Sequence, residues 1–483
     1  MKKIFFILLA IVPFYISGQN ILDVYNASTS FYQGTAKSMA MGNAMSAVGS
    51  DFSSMSINPA GLGLYRSNSF VITPSIYNTY TKDNYNGTLS GDTKSKLSFN
   101  NFGIVCVEPE QNKVYRTTWA IGMNRVNNYN NDIYINGHNA DNSLIDAYFE
   151  EIIANGIQNS RMLEEYSPTY IYPLYQLYLI DFTPDGLVTP VPLGDIKQSK
   201  GVNSWGGTNE WTFSTSLNIS DKLFFGISLN FPYMYSKRIS DYKEEFVIDS
   251  RPYYWLQEET LNTSGWGLNS KIGILAYPTR WLRIGAAFHT PTIYNLTDAW
   301  RTETIASLEG NREDFILTPT SYFNYSLRTP YRANAGAAFI IGNYGMITAD
   351  YEFVDYRTIR LYSPIYNYVD YNNDIYNTFS YTMNIRLGAE WRYQNLCFRG
   401  GYALYGSPYG ISDDNLRRDA FSCGIGYTKH FFTFDLAYVY SIQDNDYNLY
   451  SQYTAYYDMV APNLVQERTN FHNIVMTFKF KVR

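Results

Sequence analysis

The residues able to do covalent or metal chemistry are few in this chain and badly spaced for it. His138, His289, His430 and His472 are dispersed, and no two stand at a spacing that would put a pair of imidazoles on one metal ion. No Gly-x-Ser-x-Gly elbow is present to raise a serine nucleophile, and scattered Ser, His and carboxylates do not make a triad. Cys106, Cys397 and Cys423 are too scattered for a disulfide framework or a thiolate site. Asp413-Asp414 and Asp444-Asn445-Asp446 read as solvated acidic loop tips in preference to calcium loops. The expectation is a protein that is not an enzyme and has no cofactor and no metal. The remaining pattern is charge at alternate positions: Asp350 and Glu352, Arg386 and Glu390, then Arg399 and Asp435. Residues two or four apart share one face of a strand. These six form a charge network across neighbouring strands, either as cross-bracing of a barrel lumen or as a polar step in a solute path.

The strands that must position those charges are written in period two. Between Leu223 and Tyr233 every second residue is a bulky hydrophobe, and Met346 to Thr358 and Phe431 to Ser441 repeat the pattern. Such runs exceed the five or six residues usual in soluble sheets and match what a tilted strand needs to cross a bilayer. Alternation and turn signals give about fourteen strands, from Asn68 to Val482, the even number that bacterial single-chain barrels show. The connections fall into two classes. Pro109 to Lys113, Ser220-Asp221, Pro278 to Arg280, Gly342 to Tyr344, Gln394-Asn395 and His430 are tight. They alternate with long polar segments such as Asn128 to Asn209, Arg238 to Ser264 and Asn295 to Phe323. Short turns belong to the periplasmic side and long loops to the outside. The inferred outward faces carry Trp211, Phe213, Leu217, Ile272, Ile274, Leu387, Leu436 and Phe478, and the charges fall inward, as a lipid-facing surface requires. The fold class expected is all-β, a transmembrane antiparallel β-barrel.

Composition agrees with that class and removes others. Mean hydropathy is −0.27 and no apolar run after the N-terminus reaches the roughly 18 residues of a spanning helix, so a helical membrane protein is excluded. Net charge is −6 without a basic block, which gives no reason to expect nucleic acid as a partner. Residues 1–18, with Lys2-Lys3, an apolar stretch and Ser17-Gly18, read as a signal peptide. Residues 19–66 do not alternate and are rich in small side chains, as suits a plug or hatch inside the barrel, which occupies 67–483. One long loop, 128–209, is expected to be partly helical: Leu144, Tyr148, Phe149 and Ile152 stand at helical spacing and Tyr175 follows in a second apolar stretch. That much apolar surface must fold against something, either as a cap on the barrel mouth or as an extracellular hydrophobic groove that first receives a ligand.

The N-terminal segment carries a resemblance. Met39-Ala40-Met41-Gly42-Asn43-Ala44, Asp51 and Asn58-Pro59-Ala60-Gly61-Leu62, with Asp350-Tyr351-Glu352-Phe353 and Arg386-Leu387-Gly388-Ala389-Glu390 further on, resemble the FadL/TodX family of outer-membrane transporters for hydrophobic compounds. The resemblance implies a fourteen-stranded barrel closed by an N-terminal hatch. It also implies passive passage of long-chain fatty acids, aromatic hydrocarbons and similar molecules, with exit by a lateral opening or the periplasmic end. Carried over, Asn58, Pro59, Ala60, Gly61 and Leu62 are hatch residues at the ligand gate, or else only anchor the plug. Expected partners are a hydrophobic ligand, outer-membrane lipid of a Gram-negative cell and the barrel-assembly machinery. The end Lys481-Val482-Arg483 after Phe480 is atypical, since such barrels often finish on an aromatic residue. The alternative is a PorV-like outer-membrane component of type IX protein secretion, which shares the barrel and a similar N-terminal pattern but holds a protein client.

Overall fold

The computed structural model describes residues 21–108, 115–309, 312–410, 413–450 and 463–482. The expected signal peptide and the tight turn at 109–113 lie outside them. Fourteen antiparallel strands close into a barrel. They are β1 Asn68–Tyr85, β2 Thr93–Val107, β3 Tyr115–Asn128, β4 Ile196–Ile219, β5 Leu223–Ile248 and β6 Arg251–Ala276. Next come β7, in two pieces (Leu282–His289 and Ile293–Glu309), and β8, also in two (Ser321–Arg328 and Arg332–Ile341). β9 Gly345–Asp355, β10 Tyr381–Tyr393, β11 Leu396–Tyr405, β12 Arg418–Lys429, β13 Phe432–Asn448 and β14 Leu464–Val482 complete the set. Each strand pairs with its sequence neighbour, and β14 pairs with β1 from Asn68↔Val482 to Tyr85↔Val465, so the sheet closes on itself. No described helix is long and apolar enough to cross a membrane; the strands do so.

The tight turns fall where the sequence places them, and the backbone explains their residues. Ser220 and Asp221 both have positive φ (52° and 55°), the twist-matched geometry of a two-residue hairpin, and Gly342, Gln394 and His430 are also left-handed.

On the opposite side the expectation of long irregular loops needs correcting. Arg238 to Ser264 is not a loop: β5 and β6 run 26 residues each and meet in a turn at Asp249-Ser250. The same holds for most of Asn295 to Phe323, where β7 continues to Glu309. The outward positions of β5 read Phe225, Ile227, Leu229, Phe231, Tyr233, Tyr235 and then Lys237, Ile239, Asp241, Lys243 and Glu245, four of these five charged. The strand leaves lipid near Tyr235, and above it both faces meet water or protein. The apolar half of the alternation disappears there although the hydrogen-bonded ladder continues, so a hydropathy reading ends the strand too early.

The short helices α2 Ala36–Ala40 and α3 Ser54–Ile57 belong to the N-terminal segment inside the ring, and outside the membrane two apolar clusters roof the barrel. One packs α4 Leu144–Ala154, α5 Ser160–Tyr166 and α6 Tyr172–Gln176 against Tyr85, Ile196, Tyr242, Phe246, Trp255 and Val465 of the wall. The other packs the N-terminal helix α1 Ile21–Ser28 against Phe323, Val354, Leu361, Phe379 and Ile375, the last on α7 Val369–Thr378.

Candidate functional site: the hatch and a window in the wall

Residues 29–66 lie within the ring of strands, with hydrogen bonds to inward groups on many sides. Ala36 N donates to Thr477 Oγ1 of β14 at 2.8 Å, Ser46 N to Asp350 Oδ2 of β9 at 2.8 Å, Ser422 Oγ of β12 to Ala40 O at 3.1 Å, and Ser216 Oγ of β4 to Ala60 O at 3.1 Å. The wall is shaped to admit this backbone. A Cβ built on Gly273 would stand 1.9 Å from Asn58 Oδ1, one on Gly226 2.2 Å from Ala60 N, one on Gly285 2.0 Å from Ser46 O, and one on Gly401 2.2 Å from Gly42 N. Any side chain there would push the hatch off the wall. Gly226 and Gly273 face each other in the β5–β6 register and form one smooth patch under the Asn-Pro-Ala turn.

Asn58 fixes that turn. Its Nδ2 donates to Ser46 O (2.7 Å) and to Ile274 O of β6 (3.1 Å), and its Oδ1 accepts from Ala60 N (3.1 Å), capping the 3-10 turn Pro59–Leu64. Proline fits the first position of that turn because its missing N–H has no partner to lose there. Pro59, Ala60, Gly61 and Leu62 are all buried. Asp51 closes the hatch on itself, accepting from Thr35 Oγ1 and Ser53 N.

The six lumen charges separate into two groups. Glu352 on β9 takes Arg332 of β8 (3.2 Å) and Arg386 of β10 (3.1 Å). Glu390 and Asp435 are bridged by Arg399 at 2.7 and 2.6 Å. Arg399 reaches across β12 to β13 because Gly426 stands between, where a Cβ would lie 2.7 Å from its Nη1. Asp350 pairs with Arg386 in the register, but one of its oxygens is bound to the hatch amide of Ser46. Sequence reading turned Lys271 inward but missed its partner Glu210, and it missed His289, which lies between two hatch groups, its Nε2 on Ile57 O (2.9 Å) and its Nδ1 on the Tyr32 hydroxyl (3.2 Å). The partners assign the tautomer: the carbonyl requires an N–H at Nε2, so Nδ1 accepts from Tyr32. Burial raises the Tyr32 hydroxyl pKa well above its ordinary value, with Glu352 adding to that, so it stays a donor.

The groove residues lie in the extracellular cap. Leu144 and Ile152 are buried in its core, and Tyr148, Phe149 and Tyr175 are partly buried against it. The cap is fastened by Glu244 of β5, a fully buried carboxylate that accepts from Ser143 Oγ, Leu144 N, Gln198 Nε2, Tyr242 OH and Trp255 Nε1 at 2.6–3.0 Å. Nothing in the local sequence around Glu244 marks it, since its donors come from four elements.

The wall itself has a window. β2 and β3 pair only from Asn101↔Asn124 to Val107↔Thr118. Above that, among the described residues, Thr93–Asn100 pair with β1 alone, while the chain after β3, Asn131–Asn139, pairs with β4. The space between is spanned by side chains: Arg125 Nη1 donates to Ser98 Oγ (2.8 Å), and Lys94 meets Asp132 at 2.5 Å. Gln33 of the hatch fills it from inside, forming a backbone bridge to Arg125 with its N–H on Arg125 O at 3.0 Å. At the lower lip Asn101 and Asn124 are buried with neither amide atom bonded. Native folds rarely leave such a pair unpaired.

No family model and no curated relative matches this sequence. Solved structures do match in shape. A FadL homologue of Pseudomonas aeruginosa superposes with TM-score 0.55 at 11% identity, covering 94% of this chain and 99% of its own. The toluene transporter TodX of Pseudomonas putida gives 0.54 at 12%, covering 94% and 100%. The toluene transporter TbuX of Ralstonia pickettii gives 0.50 at 14%, covering 95% and 100%. The chain has the fold of these barrels. Inside it, cavities of about 40 and 30 Å³ lie beside Tyr32, the larger of the two lined by Glu210, Lys271, His289 and Arg332. A dry chamber that takes benzene has about 150 Å³, so neither cavity holds even a small aromatic solute.

Proposed function

We propose that the protein is a passive outer-membrane channel for hydrophobic small molecules, with long-chain fatty acids and monoaromatic compounds as the classes to try first, and that the N-terminal hatch gates it. We assign it no catalytic role. The observation that carries the proposal is the lapse of β2–β3 pairing with Gln33 seated in it. An apolar solute that descends from the cap meets a hatch body wedged on glycines and a belt of buried charge, which make the axial path polar and tight. A sideways step into lipid avoids both. The moving part is then the strap of residues 29–35, with Asn58 to Leu62 holding the hatch body while the strap shifts. Its structural neighbours support the substrate class: TodX and TbuX are toluene transporters.

The experiment is a reversible lock. Gln33 and Arg125 are backbone partners, so cysteines at both positions are in range of a disulfide. With the three native cysteines replaced by alanine, Gln33→Cys/Arg125→Cys is expected to lose uptake of a fluorescent fatty acid when oxidised and regain it with reductant. Equal uptake in both states rejects the strap as gate. A PorV-like role would show instead as a client polypeptide co-purifying with the barrel and no dependence of lipid uptake on the protein.

A further inference from the structure

At the extracellular end of the seam that closes the barrel, two carboxylates face one another with no basic side chain paired to them among the described residues. Asp83 of β1 and Glu467 of β14 are direct partners in the register, both inward, 1% and 7% exposed. Side chains so placed have Cβ atoms about 5 Å apart, where like charges repel. A buried carboxylate normally collects donors. Glu244 in the same rim does so, with five. Glu467 accepts from Thr469 Oγ1 at 2.8 Å on Oε1 and has the Tyr447 hydroxyl beside it, while among the described residues its Oε2 and both oxygens of Asp83 are buried without a hydrogen-bond partner. The nearest basic residues along these strands cannot help. Alternation turns Lys82 and Arg468 to the outer face, and Arg468 is already held there by Asp444 at 2.7 Å.

We propose that Asp83 and Glu467 hold a divalent cation of the calcium type. The free donors are carboxylate oxygens, which favour a hard cation that completes its shell with water. With three protein oxygens the affinity belongs with extracellular sites, a Kd between about 0.1 and 1 mM. The position suits that source: Tyr80 is the last aromatic residue on the outer face of β1 and exposed Lys82 follows, so Asp83 lies above the lipid. The ion ties the first strand to the last one step below Tyr85 and Val465, which carry the core of the cap. It therefore fastens the barrel seam where the cap rests on it.

The test uses the full mature chain in detergent with terbium as probe, excited through Tyr85 and Tyr447, which flank Val465. Wild type is expected to show emission that calcium displaces with a midpoint near or below about 1 mM. Asp83→Asn and Glu467→Gln are expected to weaken it at least about tenfold. Calcium should raise the temperature of heat-modified gel migration for wild type and for neither variant. Unchanged emission in Asp83→Asn overturns the proposal. So does a wild type indifferent to calcium but stabilised between about pH 8 and pH 5 in a way that Asp83→Asn abolishes, because the pair then shares a proton instead of an ion.

Discussion

Asn58 joins three backbone positions, Ser46 and Ala60 of the hatch and Ile274 of the wall 216 residues away, and this determines what its removal does. Asn58→Ala leaves buried carbonyls unpaired and is expected to cost about 1–3 kcal/mol of hatch docking. The strand ladder is untouched, so heat-modifiable migration stays normal while ion leak in planar bilayers rises. Leak equal to wild type would show that the glycine seat alone holds the hatch. Glu244→Ala removes an acceptor that serves five donors and is expected to free the cap by about 2–3 kcal/mol, read as faster protease nicking in 128–209. Spacing was enough to put Asp350 and Glu352 on one inward face. That Glu352 takes two arginines while Asp350 turns to a hatch amide was not legible, because Ser46 N comes from 304 residues away.

Each element's outward residues report where it meets lipid. On β5 the change from Leu229 to Lys243 marks the change from bilayer to water. Leu229→Lys is expected to cost about 2–4 kcal/mol in a urea titration of the folded barrel in lipid vesicles. Lys243→Leu, above the membrane, should change that titration little.

The cap helix α4 offers a test against pH. Burial pushes the Asp146 carboxyl up to about 6, with Glu244 and Glu150 adding to the rise, while the Ser143 amide that donates to it at 2.9 Å acts the other way. A carboxyl whose folded pKa is raised disfavours the folded state once ionised. The cap is therefore most secure below the ordinary carboxylate range and loses stability as pH climbs through about 6. Proteolysis of the cap should be slower at pH 5 than at pH 7.5, and Asp146→Asn should remove most of the difference. Helical spacing at Leu144 to Ile152 announced α4 correctly, with a capping box at Ser143 and Asp146 to start it. The upper halves of β5, β6 and β7 were read as loops because water on the outer face removes the alternation that identifies a strand in lipid.

For the whole molecule, barrel and hatch have to be considered together. A barrel of this strand number with its N-terminal segment removed is an open tube, whereas here glycine patches on β5, β6, β7 and β11 let the segment fill it. Deleting residues 21–66 is expected to convert a nearly non-conducting barrel into one with large, steady single-channel conductance. A deletion variant that stays closed would mean that the cap, and not the hatch, seals the pore. The two roofing clusters meet through Arg238, which binds Asp23 of α1 at 2.6 Å and Glu259 of β6 at 3.3 Å, with Glu259 accepting from Tyr170 of the cap. The N-terminal helix and the cap are thus fastened to one side chain.

Amphipathic alternation, two classes of connection and an opening stretch of small residues were enough to set the class, a closed membrane barrel stoppered by its own N-terminus. Those features follow from solvent, since lipid outside a hydrogen-bonded sheet dictates every second residue whatever the rest of the chain does. The tertiary structure alone decided where the wall lapses, which glycines seat the hatch, which charges pair, and where Asp83 meets Glu467. Each of these depends on the register between strands or on contacts hundreds of residues apart, and a single strand's pattern contains neither.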